Sequence, residues 1–138
     1  MTEITYKDTH DLPKELLCDL FLSVDWKSAN YPSRLVKAIK GSDTVITAWT
    51  NDQLIGLVNA IDDGEMTAYI HYLLVNPEYQ GLGIGTELMQ RISAKYTDYL
   101  YTIVIAESEE LVAYYESIGF SRELGHTAMF RMNYANKE

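Results

Sequence analysis

Three glycines at alternate positions, Gly81, Gly83 and Gly85, stand between an apolar run and a helical pattern. The run, residues 69–75, is rich in β-branched and aromatic side chains, as suits a strand buried on both faces. Asn76-Pro77 ends it, because proline removes a ladder donor and biases the residue before it away from helix. From about Leu82 the pattern turns helical, with Ile84, Leu88, Met89 and Ile92 spaced to form one apolar stripe. A strand, a bare turn and a helix start together present unpaired backbone N–H groups and the positive end of a helix dipole. The chemistry they suit is the binding of a phosphorylated ligand.

Spacing separates the phosphate-binding templates. A P-loop needs a lysine after its last glycine, whereas Gly85 is followed by Thr86-Glu87. A dinucleotide fingerprint places its third glycine where this chain has Thr86, and it follows the first strand of a repeated βαβ pattern. Three such glycines beside a strong helix would also sacrifice backbone entropy for a turn that binds nothing. Metal chemistry has no pattern here. His10, His71 and His126 are scattered without ligand spacing. Cys18 is the only cysteine, so neither a disulfide framework nor a thiolate cluster is expected, and it reads as a small packing residue in a helical stretch.

The elements that must position this turn follow from periodicity. A short strand is expected over 3–8. A helix follows, with Asp11 as its cap, Pro13 in its first turn, and Leu16, Leu17, Leu20, Phe21 and Val24 on one face. After an irregular, polar stretch from Asp25 to Pro32, a second helix opens at Pro32 or Ser33 and stops at Gly41. Strands over 44–50, 54–61 and 66–75 form a meander, turned at Asn51-Asp52 and at Asp62-Asp63-Gly64. Asp62, Asp63 and Glu65 read as turn formers. The glycine turn and its helix run to about Lys95, a buried strand covers 101–106, and a helix over 109–117 closes at Gly119. A final strand pair is expected over 120–123 and 127–134. The order gives an α+β (mixed α/β) chain, antiparallel at first with a βαβ unit in the middle, and one domain over 1–138.

Composition narrows the partners. The net charge is −9, the wrong sign for a nucleic-acid surface and compatible with a cationic substrate drawn to an acidic cleft. No apolar run reaches membrane-spanning length, and the start, Met1-Thr-Glu-Ile-Thr, lacks signal-peptide character, so a cytoplasmic protein is expected. A phosphorylated ligand here must be held by local backbone donors against the global field.

Gln80-Gly-Leu-Gly-Ile-Gly85 resembles the Gln/Arg-x-x-Gly-x-Gly/Ala signature of the GNAT superfamily of N-acetyltransferases, and residues 73–79 look like the usual approach to it. Downstream by 28 residues from Gly85, Ala113-Tyr-Tyr-Glu-Ser-Ile-Gly-Phe120 is similar to that family's second signature. The resemblance covers roughly residues 44–120. It implies the GNAT fold, a twisted, mostly antiparallel sheet of six to seven strands flanked by about four helices. It also implies acetyl-CoA as donor, no metal, and direct transfer of acetyl to a primary amine of a small molecule or an exposed peptide amine. The competing class is a non-catalytic acyl-CoA-binding sensor. Homodimers are common among such proteins, but no residue here argues for one.

By the same resemblance, the amides of Gly81, Leu82, Gly83, Ile84, Gly85 and Thr86 hold the pyrophosphate, in a signature opened by Gln80 where many relatives have arginine. Leu73, Leu74 and Val75 meet the pantetheine arm as a strand would, because the central strand parts from the next one. Tyr115 is the implied general acid for the departing thiolate, and Tyr114 packs on the cofactor. Relatives that use a carboxylate base often place it where this chain has Tyr69. That departure excludes a direct carboxylate there and leaves Tyr69 to acceptor binding. His71, two residues along on the same face, is the candidate base. Trp26 and Tyr31, with Asp25, are expected in the wall of the acceptor cleft.

Overall fold

The first four strands pair in the order in which they occur. β1 (Thr5–Asp8), β2 (Thr44–Thr50), β3 (Gln53–Asp62) and β4 (Thr67–Val75) are antiparallel neighbours, and β5 (Tyr101–Ile103) joins β4 in parallel. This is a computed structural model, and it describes residues 3–138. Two compact units make it up, residues 1–103 with 137–138 and residues 104–136.

In the first unit, β2 is buried at every position and β3 from Leu54 to Ala60. Strands that bury both faces need a layer on each. One layer is α1 (Lys14–Ser23) with α2 (Pro32–Lys40). Their Leu17, Leu20, Phe21, Leu35 and Ile39 share a core with Val45, Trp49, Leu57 and Leu74 of the sheet. The other is α3 (Ile84–Ser93), whose Ile84, Leu88, Met89 and Ile92 are all buried. Helix α3 seats against Gly56, where a Cβ would lie 3.2 Å from both Ile84 Cγ2 and Leu88 Cδ1 and 3.4 Å from Ala48 Cβ. Its far end continues as a short 3₁₀ turn, Ala94–Tyr96. There the Tyr96 phenol donates to Asp62 Oδ2 at 2.8 Å and accepts from Thr44 Oγ1 at 2.8 Å. Burial first, then the neighbouring carboxylates, raise the Tyr96 pKa far above its ordinary value.

The hairpin between β3 and β4 is built as expected. Asp63 Oδ1 accepts from the N–H groups of Glu65, Met66 and Thr67 at 2.7–3.0 Å, and Asp62 Oδ1 from Gly64 at 2.8 Å. These bonds, Thr67's first, hold the Asp63 carboxyl below its usual range.

Other expectations are corrected. Asp11 does not cap α1: Pro13 occupies that position with extended backbone (ψ 135°), and Asp11 lies 3.7 Å from Lys40 Nζ. Helix α3 begins at Ile84 rather than Leu82, because Gly83 before it is left-handed. Strand β5 ends at Ile103, not at residue 106. In the second unit, α4 (Glu109–Ser117) is capped by the Ser108 hydroxyl, which accepts from Leu111 N–H at 3.1 Å. The strand pair expected over 120–123 and 127–134 is absent. Those residues form no ladder, and all of them but the half-buried Phe120 stand exposed, Met129 at 91%. An alternating pattern has no force without a neighbouring strand to complete its hydrogen bonds. The described residues therefore hold five strands, fewer than the six to seven expected, with four α-helices.

Candidate active site

The glycine turn leaves β4 through Asn76, whose side chain accepts from Glu78 N–H at 3.0 Å and starts a 3₁₀ turn, Pro77–Tyr79. Gln80 folds back, its Nε2 donating to Val75 O at 3.3 Å. Gly81 and Gly83 then take φ of 83° and 78°, values that L side chains resist. A Cβ at either would meet nothing within 4 Å, so the space beside the turn is open. The helix ladder begins with Glu87 N–H on Gly83 O at 3.0 Å. The amides of Ile84, Gly85 and Thr86 come before that first bond. Leu82 is exposed at 56%, while the Ile84 side chain is core. No lysine or arginine occurs from residue 76 to residue 90.

Strand β4 supplies the second component. Its ladder with β5 runs only from Thr67↔Tyr101 to Tyr69↔Ile103, whereas its ladder with β3 continues to Gly56↔Val75. Beyond Tyr69, Ile70 and residues Leu73, Leu74 and Val75 thus pair on the β3 side alone. Leu74 is buried in the α1–α2 core, and Leu73 and Val75 are half-buried.

On the α1 side of β4, aromatic rings gather. The His71 imidazole stacks on Tyr69 at 5.2 Å and on Tyr72 at 3.9 Å between centroids. Tyr72 meets Trp26 at 5.5 Å and Phe21 edge-on at 4.9 Å, and its hydroxyl lies 2.7 Å from Ser28 Oγ. Loss of water around the imidazole lowers the His71 pKa. That direction favours the neutral imidazole, the form that can accept a proton. Sequence reasoning missed Tyr72, because strict alternation would send it to the face opposite His71.

The remaining expected residues lie apart from this stack in sequence. Trp26 is half-buried and packs on the core as well as on Tyr72. Asp25 beside it is exposed, with φ 58°. Tyr31 opens α2 with the Arg34 guanidinium 5.9 Å from its ring centre. In the second unit, Tyr115 is buried at 8% exposure on α4, edge-on to Phe120 at 5.8 Å. Its carbonyl accepts the Phe120 and Ile118 N–H groups at 3.0 and 3.2 Å, which closes the helix. Tyr114 is half-buried, its ring 5.4 Å from that of Tyr115. Among the described residues, no three His, Cys, Asp or Glu side chains group as metal ligands, and no helix is long and apolar enough to cross a membrane.

A family model for the acetyltransferase (GNAT) domain matches residues 14–131. An uncharacterised N-acetyltransferase, ycf52, of Gracilaria tenuistipitata var. liui is 32% identical over 123 residues, 84% of this chain and 63% of that protein. The ycf52 N-acetyltransferase of Pyropia yezoensis is 29% identical over 115 residues, 79% of this chain and 63% of its own length. The chain thus spans a little under two thirds of these relatives. A solved GNAT family acetyltransferase from Streptococcus pneumoniae TIGR4 superposes with a TM-score of 0.81 at 27% identity, covering 95% of this chain and 98% of that one.

Proposed function

The chain belongs to the GNAT family of acetyltransferases, and from that premise we propose that it moves an acetyl group from acetyl-CoA to a primary amine within a ternary complex. The observation that carries this reading is the turn: two left-handed glycines beside open space, leading into the first-turn amides of α3. Backbone N–H groups at a helix start suit a diphosphate. With no basic side chain from residue 76 to residue 90, they are its principal donors. The β4 edge beyond Tyr69 suits the amide groups of a pantetheine arm, which would complete the ladder as an added strand does.

Transfer makes two demands. The amine must be neutral when its nitrogen attacks the thioester carbon, and the sulfur must leave protonated. An alkylamine of pKa about 10.4 costs roughly 4–5 kcal/mol to deprotonate at neutral pH. Holding amine and thioester together offsets some 7–11 kcal/mol, so positioning is the larger contribution and a weak base suffices. His71 takes the amine proton, directly or through water, as the C–N bond forms. Tyr115 gives its proton to the sulfur as the C–S bond breaks, a role that suits a phenol still protonated at neutral pH. Trp26, Tyr31 and Tyr69 line the acceptor side. We take residues 1–138 as one catalytic domain with the cytoplasm as its setting.

A thiol-release screen over polyamines, arylalkylamines, amino acids, aminoglycosides and peptides tests the reading. The expected result is CoA release matched by one acetylated amine per turnover. Tight CoA binding with no turnover on any of these amines would instead favour the acyl-CoA sensor.

A further inference from the structure

The pairing of β3 with β4 slips by one residue. Val58 faces Leu73 and Ala60 faces Ile70, so two steps on β3 match three on β4, and His71 and Tyr72 together oppose Asn59. This is a β-bulge, which bends its strand and re-aims a side chain. In a regular strand, adjacent side chains leave opposite faces. Here the His71 and Tyr72 rings stack at 3.9 Å with 21° between their planes.

The bulge is held by a buried polar chain. Asn59, 3% exposed, accepts the Tyr72 N–H on Oδ1 at 2.8 Å and donates from Nδ2 to Ser42 Oγ at 3.0 Å. Ser42, 5% exposed, donates in turn to Ala38 O of α2 at 2.9 Å. Asparagine is disfavoured in strands, and its burial is tolerated only when its amide is fully bonded. Every neighbour of Asn59 on β3 from Leu54 to Ala60 is apolar or glycine, so packing alone would be met by valine. The one backbone group Asn59 serves across the ladder is the amide that the bulge takes out of the regular β3–β4 pairing. We infer that Asn59 is a positioning residue: it closes the β4 bulge, anchors it through Ser42 to α2, and so sets the His71 and Tyr72 rings on one face toward the acceptor.

This rests on the reading of His71 as base, and the experiment keeps the two apart. Asn59→Ala and Asn59→Asp are compared with the wild-type chain for fold, for kcat and KM, and for the Tyr72 amide signal in ¹⁵N spectra. Asn59→Ala is expected to lower kcat about tenfold or more, as small displacements of reacting groups do, with the acetyl-CoA KM within about twofold. Its Tyr72 amide should shift and exchange faster. Asn59→Asp, held protonated by burial, keeps an acceptor for Tyr72 N–H and an O–H donor toward Ser42 Oγ, and is expected to recover most of that loss. A folded Asn59→Ala with unchanged kcat and an unchanged Tyr72 amide overturns the inference. Should Asn59→Ala not fold, Ser42→Ala is read instead. A faster-exchanging Tyr72 amide supports the inference there, and an unmoved one overturns it. If the wild-type chain acetylates no amine, the transfer reading fails alone, and the Tyr72 amide still decides the bulge.

Discussion

At Gly83 the backbone holds φ at 78° with nothing nearby to block a side chain, so what disfavours other residues there is conformation rather than packing. Gly83→Val adds about 1–2 kcal/mol of left-handed strain and puts a branched side chain into the space beside the first amides of α3. CoA affinity by calorimetry is expected to fall about tenfold or more, and wild-type affinity would remove the turn from the site. Tyr115→Phe keeps the ring that packs on Phe120 and removes the hydroxyl. A kcat about 10²-fold lower at unchanged acetyl-CoA affinity is expected, while unchanged turnover would end its role as acid. Partial loss of water lowers the His71 pKa from its ordinary value, although the residue remains exposed at the surface. The base form therefore survives to lower pH than for a solvated histidine. kcat/KM is expected to fall only as pH drops through that lowered value, and His71→Gln should lose this acidic limb. At this scale the turn was legible because a need for positive φ is written in the residue type. The Asn59–Tyr72 bond was not, since a register slip between two strands leaves no mark in either one.

Elements were legible where local rules decide them. Strand β2, helix α4 and the hairpin at Asp63 stand where periodicity, a closing glycine and turn residues put them. They were misread where a distant partner decides. Residues 104–106 and 120–136 carry apolar, strand-like runs, yet no ladder reaches them. Tyr96 is a further case, a tyrosine among eleven whose hydroxyl ties the end of α3 to the start of β2 and the end of β3. Tyr96→Phe removes a bond to a carboxylate, and a loss of about 1–3 kcal/mol in denaturant unfolding is expected. An unchanged midpoint would show that water replaces the phenol at no cost.

The whole chain carries a charge of −9, and its proposed donor is itself a polyanion. A site built from lysine and arginine would lose CoA affinity as salt rises. Here the local donors are neutral amides, so screening should relieve a general repulsion instead. Between low and physiological ionic strength, CoA affinity is expected to hold or rise, while KM for a cationic amine rises. A steep loss of CoA affinity with salt would mean that basic side chains carry the diphosphate. The same turn is also set by a contact on the far side of its helix. Gly56 fixes how deeply α3 beds into the sheet, through a methyl that is not there. Alanine at that position would act as a shim, lifting Ile84 and Leu88 by a few tenths of an ångström and carrying the first amides of α3 with them. If the turn holds the donor as proposed, its affinity would have an adjustment screw in the core, reachable by substitution without altering any group that would touch the ligand.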